Sequence, residues 1–174
     1  MSPVPNINLR AVELHDAPLI MEWENDHTEW IHSGTTLPFS RYQIEQYVME
    51  ARGDFWDARQ LRLMVTAPDG NTVGAVDIFE ADARNRRAGL GIIIAHPYRG
   101  MGYGKAALLA MTQLAFDMLN LHQLWCNILT TNTTSNHLFE TAGWQCCGVR
   151  RQWFFHDGAF HDARFYQLIN PRKA

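Results

Sequence analysis

Two periods run through the apolar positions of this chain. Between residues 102 and 119, Ala107, Met111, Leu114, Ala115 and Met118 recur at intervals that place them on one face of a helix. Residues 61–67 and 72–79 are apolar runs around Pro68-Asp69-Gly70-Asn71, which predicts a hairpin. Residues 87–95 and 124–130 read as strands, and residues 132–142 as a short helix. A last hairpin, 149–156 with 163–169, turns at Asp157-Gly158. Upstream, residues 7–12 predict a short strand, and 16–25 and 40–52 two helices. The polar, aromatic stretch 26–38 between those helices is broken at Gly34 and Pro38. Antiparallel strands, then strand–helix–strand–helix, then a hairpin predict an α/β (α+β) fold: one mixed sheet flanked by helices.

Composition narrows the class. The 174 residues suit one domain spanning 1–174, with 47% hydrophobic and 19% charged residues, an ordinary globular mixture. A net charge of -3 gives no basic field, so no nucleic-acid partner is expected. The apolar stretches 88–95 and 106–111 are too short to span a bilayer, so no membrane partner is expected. The start, Met1-Ser2-Pro3-Val4-Pro5, lacks the basic and apolar regions of a signal peptide. Cys126, Cys146 and Cys147 are odd in number and two are adjacent, which suits neither a disulfide framework nor a zinc site. A cytoplasmic protein with reduced thiols and no metal is expected, and a homo-oligomeric state stays open.

Candidate chemistry begins where the strand at 87–95 enters His96-Pro97-Tyr98-Arg99-Gly100-Met101-Gly102-Tyr103-Gly104-Lys105 and a long helix follows. Free amides and the positive dipole end at a helix start attract phosphate, and glycine lets backbone approach it. A P-loop would need a hydroxyl after Gly104-Lys105, but Ala106 follows, and Arg99 stands where its first glycine belongs. A dinucleotide fingerprint spaces its glycines differently and sits near the first strand of a βαβ unit. Taken alone, the glycines fit a plain helix-starting turn as well as a ligand loop. Gly89 and Gly91, inside the preceding strand, predict a bulge or a close approach there.

Arg99-Gly100-Met101-Gly102-Tyr103-Gly104 resembles the GNAT acetyltransferase signature, and Asn132-Thr133-Thr134-Ser135-Asn136-His137-Leu138-Phe139-Glu140-Thr141-Ala142-Gly143-Trp144 resembles that superfamily's second cofactor motif. From about residue 73 to 168 the chain is similar to bacterial spermidine/diamine N-acetyltransferases, with ribosomal-protein N-terminal acetyltransferases next. The resemblance implies a single GNAT-like domain using acetyl-CoA as co-substrate. Ile92, Ile93 and Ile94 would then pair by backbone with the pantetheine arm. Arg99, Gly100, Met101, Gly102, Tyr103, Gly104 and Lys105 would wrap the pyrophosphate, and Asn132 would touch the cofactor or cap its helix.

Direct transfer to a primary amine, with no covalent enzyme intermediate, needs a group to take the amine's proton and one to protonate the thiolate. In the diamine acetyltransferases a tyrosine is the presumed acid; here that position is Phe139. Ser135 is the first replacement candidate, ahead of Cys126, Tyr103 and His137, although a serine there equally serves its own helix turn. For the base, Glu80 comes first and Asp77 second. Their spacing puts them on opposite faces of a regular strand. Many family members carry Glu where this chain has Gly89. Glu22, Glu24, Asp26 and Glu29, interspersed with Trp23 and Trp30, form either an acidic, aromatic wall for a cationic amine or an ordinary polar face with core tryptophans. The acceptor is thus a polyamine or other small amine, or a peptide or ribosomal-protein N-terminus. A CoA-binding sensor without turnover is the rival of another class.

Overall fold

In the computed structural model, which describes residues 4–51 and 53–172, the turn at residues 68–71 joins β2 (Leu61–Thr66) to β3 (Thr72–Asp82). Asp69 Oδ1 accepts from the Asn71 amide at 3.0 Å, and Gly70 takes a φ of 88° that favours glycine. Around this hairpin the sheet extends in the order β1-β2-β3-β4-β5-β7-β6. Its other strands are β1 (Asn8–Ala11), β4 (Arg87–Ile94), β5 (Gln123–Leu129), β6 (Gln145–His156) and β7 (Ala159–Ile169). The β4–β5 pair is parallel and the other pairs antiparallel.

Alternation along the central strands divides the core into two layers. Val65, Val76, Ile78 and Leu90 face α5 (Tyr103–Asp117), meeting Ala107, Leu108, Met111 and Ala115. Met64 and Ala75 face the other way, onto Ile20 and Trp23 of α1 (Ala17–Glu24) and Ile44 and Val48 of α3 (Arg41–Glu50). Ser40 and Gln43 close a capping box that starts α3. Asp16, 3% exposed just before α1, chelates the guanidinium of Arg10 on β1 at 2.7 Å through both oxygens. The helix α6 (Thr133–Thr141) follows β5.

The predicted elements are present with shifted ends, and three readings change. Met118 was placed on the buried face, yet it is 79% exposed, because α5 ends at Asp117 and Met118 only caps it. The broken stretch 26–38 holds a single helical turn, α2 (Trp30–Ser33), and another, α4 (Phe55–Ala58), precedes β2. Four residues are too few to show a helical period. The bulge expected in β4 lies instead in its partner: β4 pairs with β3 unbroken from Gly89 to Ile94, and the register breaks in β3 after Phe79. Glu80 sits there at φ 50°. Among the described residues no helix is long and apolar enough to cross a membrane.

Candidate active site

β4 and β5 pair only at Arg87–Gln123, Ala88–Leu124 and Gly89–Trp125. Beyond that point β5 keeps its other partner, β7, along its whole length, so the sheet opens between Ile92, Ile93 and Ile94 on one side and Cys126 to Leu129 on the other. A wedge of strand edges with free backbone groups is a seat for an extended, amide-bearing ligand.

At the wide end of the wedge the chain turns through His96–Tyr98 and enters α5. Gly100 and Gly102 take φ of 77° and 87°, and Gly102 is the N-cap, with no side chain capping the helix. The first-turn amides therefore keep their anion-binding capacity. A Cβ on Gly104 would stand 3.4 Å from Leu138 Cδ2 and 3.7 Å from Ile94 Cγ1, so this helix start packs closely against β4 and α6. Arg99 points elsewhere: its Nε donates to the Ile94 carbonyl at 2.8 Å and its Nη2 meets Glu29 Oε1 at 2.9 Å. Asn132 accepts from the Ser135 amide at 3.0 Å as the N-cap of α6, and its Nδ2 lies 3.4 Å from His32 Nδ1.

In the wedge itself, Asn127 Oδ1 is buried with no hydrogen-bond partner. A buried carbonyl left without a donor is costly, and a ligand N–H arriving there would satisfy it. An uncapped helix start with left-handed glycines, an open strand edge and an orphaned acceptor together fit a pyrophosphate-tailed, amide-bearing cofactor.

A cavity of about 780 Å³ lies against the wedge on the α1–α3 side of the sheet. Glu24, Glu29, Arg62, Asp77, Glu80, Trp125, Asn127, Arg150 and Trp153 are in its wall. Asp77 and Glu80 both reach it because the break after Phe79 turns Glu80 round. Their situations differ. Asp77 is held by Arg62 through both oxygens, at 2.6 and 3.1 Å, and Arg62 also meets Glu24 at 2.7 Å. Burial alone would pull the Arg62 guanidinium down, but the two carboxylates outweigh it and hold it above its ordinary value. Glu80 is exposed to the cavity, with no ion-pair partner among the described residues.

Two of the remaining acids of the expected wall, Asp26 and Glu29, are also engaged. Glu29 meets Arg99 and lies 3.6 Å from His96 Nε2, which also approaches Asp26 Oδ2 at 3.3 Å; these contacts strap the 26–33 segment to the glycine turn. Hydrogen bonds from Thr28 hold the Asp26 carboxyl below its usual range. Trp23 is core, 8% exposed, and Trp30 donates to the Glu24 carbonyl at 2.9 Å while stacking on His27; Glu22 faces outward.

Gly89 has a steric cause. Phe79, its partner across β3–β4, lays its ring over position 89, where a Cβ would meet Phe79 Cε2 at 2.3 Å. The ring packs edge-on against Trp125. The candidate acids scatter. Phe139 is 5% exposed between Trp144 and Tyr166. Ser135 is half-buried in the first turn of α6 and His137 is exposed. Tyr103 packs edge-on against Tyr98. Cys126 is buried, and burial pushes its thiol up, keeping it protonated and inert.

Arg62, Phe79, Asn127 and Arg150 were not singled out from the sequence. Only Asn127 leaves a trace there, as the single polar side chain between Leu124 and Leu129.

Residues 6–145 match the acetyltransferase (GNAT) domain model, and the chain belongs to that family: it is an acetyl-CoA-dependent N-acetyltransferase. It is 28% identical to the spermidine N(1)-acetyltransferase of Vibrio cholerae, over 95% of this chain and 94% of that one. It is 29% identical to the putative ribosomal N-acetyltransferase YdaF of Bacillus subtilis, over 94% and 91% of the two chains. The solved structure of the Vibrio cholerae spermidine N-acetyltransferase in complex with CoA and spermine superposes with a TM-score of 0.86 at 24% identity, covering 94% of this chain and 95% of that one. That last likeness is one of fold.

Proposed function

We propose that the cavity receives a small primary amine carrying a single positive charge, and that Glu80 takes its proton. The observation behind this reading is the division of charge in the wall: Glu24 and Asp77 share the one guanidinium of Arg62 and Glu29 pairs with Arg99, leaving Glu80 as the wall carboxylate without a cationic partner among the described residues. An alkylamine with a pKa of about 10.4 arrives protonated and must become neutral to attack. A carboxylate near the closed end of the wedge first attracts the ammonium and then accepts its proton. Bound acetyl-CoA supplies the thioester. The new C–N bond forms as the C–S bond breaks, one proton leaves the amine and one is taken up by the thiolate. Ser135, in the helix beside Gly104, is our candidate for that second proton. Asn127 Oδ1 is placed to accept an N–H in the wedge, and Asp77 serves to hold Arg62.

A second reading, acetylation of spermidine-like polyamines, is supported by the 28% identity to the Vibrio cholerae spermidine N(1)-acetyltransferase. A panel assay of CoA release against monoamines, polyamines, amino acids, amino sugars and short peptides separates the readings. Turnover with monoamines above polyamines is expected, and the reverse order would favour the second reading. In Glu80→Gln the chemical step should slow by about 10²–10⁴-fold. A loss confined to the KM of the acceptor would make Glu80 a charge anchor instead.

A further inference from the structure

Arg150 is the second charged group in the cavity wall that is left without an opposite charge. It is half-buried on β6, and among the described residues it has no carboxylate partner. The other guanidinium of the wall, Arg62, is fully engaged by Glu24 and Asp77. A half-buried cation without a counter-charge is costly, and an apolar residue would serve packing better. The site instead invests structure in holding it. The Arg150 guanidinium carbon lies 4.4 Å from the centre of the Phe165 ring and 4.5 Å from that of Trp153. In a regular strand, residues 150 and 153 would point to opposite faces. They stack because β6 carries two extra residues here: Arg150 pairs with Ala163 and Phe154 with His161. Gln152 takes φ 50° within the bulge, and its amide is tied to Asp162 Oδ1 at 2.7 Å. Rings that occupy the faces of a guanidinium leave its N–H edge for an acceptor lying in its plane, the geometry that suits a carboxylate.

The aromatic contacts continue from this anchor. Phe165 lies 6.2 Å from Trp125, Trp125 lies 5.4 Å from Phe79, and Glu80 follows Phe79 in sequence at the wedge. The cavity wall thus carries a free cation and a free carboxylate joined by a run of aromatic contacts, of which Trp125 and Phe79 line the cavity.

We infer that Arg150 is the specificity anchor of this pocket, binding the carboxylate of an acceptor whose amine is presented toward Glu80. This inference rests on the proposed acetyl transfer to a small amine and narrows it to an amine that also carries an anionic group. A polycation would bring its second ammonium against Arg150.

The test uses matched acceptors with and without the carboxylate: γ-aminobutyrate against propylamine, δ-aminovalerate against butylamine, ε-aminocaproate against pentylamine. Wild-type kcat/KM should favour the carboxylated member of a pair. Arg150→Gln should lower it by about 10- to 100-fold for that member, since a charged hydrogen bond is lost. The carboxylate-free partner and the KM for acetyl-CoA should stay unchanged, the latter reporting an intact fold. Arg150→Lys should recover part of the loss, keeping the charge without the flat stack. A preference for the carboxylate-free members, or equal losses in both, overturns the anchor while leaving acetyl transfer standing. If wild type releases CoA with none of these amines, transfer to a small amine falls. The anchor is then judged by calorimetry: binding of the carboxylated compounds by wild type but not by Arg150→Gln upholds it, and any other pattern removes it.

Discussion

The two halves of the cleft are made of different material. The side we propose for the cofactor is largely backbone: strand edges at Ile92–Ile94, an uncapped helix start, and two glycines in the left-handed region. The side we propose for the acceptor is side chains gathered from distant segments, with Glu24 on α1, Arg62 on β2, Asp77 and Glu80 on β3 and Arg150 on β6. Backbone recognition depends on conformation, so it needs only glycines and a helix start at fixed offsets. Side-chain recognition is free to vary with the ligand.

The largest expected effect tests the backbone half. Replacing Gly102 and Gly104 together by valine forces a β-branched residue into a φ of 87°, at a cost on the order of 1–3 kcal/mol. It also puts side-chain bulk where Gly104 now lies against Leu138. CoA binding should disappear from calorimetry while circular dichroism still reports a folded chain. Undiminished affinity in the folded double variant would place the cofactor elsewhere.

A smaller and more selective effect is expected from the side-chain half. Arg62→Met leaves Glu24 and Asp77 facing each other without their common partner. Breaking such a partly buried cluster should cost about 1–3 kcal/mol in urea unfolding. The two released carboxylates should also shift acceptor preference toward spermidine. An equally stable variant with unchanged preference would mean that the cluster is neither structural nor a determinant of charge in the cavity.

The smallest effect lies at the wedge. Cys126→Ala removes a buried, protonated thiol and should cost about 1 kcal/mol of stability while keeping most of the activity. An acetylated Cys126 trapped during turnover by mass spectrometry would replace direct transfer with a two-step route.

The same division explains how far the sequence could be read. The strand edges, the glycine turn and α6 were legible because periodicity and glycine spacing encode conformation directly. The acceptor wall was not, since an ion pair such as Arg62–Asp77 depends on the β2–β3 register, and nothing near Arg62 announces its partner. Asp77 and Glu80 were singled out from position, but regular strand geometry separated them, and only the register break after Phe79 brings both to the cavity. Arg150 was hidden for a related reason: its stacking on Trp153 comes from a bulge in β6, at which the Gln152 amide donates to Asp162 on β7. The four-residue helices escaped because one turn carries no period.

The overlap of Phe79 with the space above Gly89 has an evolutionary consequence. Gly89→Glu alone would drive a Cβ to 2.3 Å from the ring, and loss of the ring alone would strip Trp125 of its edge-on neighbour. Each single change is harmful in the background where the other has not occurred. A glutamate at position 89 is therefore accommodated only together with a smaller residue at position 79, a coupled double substitution with an impaired intermediate. Positions 79 and 89 should co-vary among descendants as one heritable character, glycine keeping company with the aromatic ring and glutamate with a smaller residue.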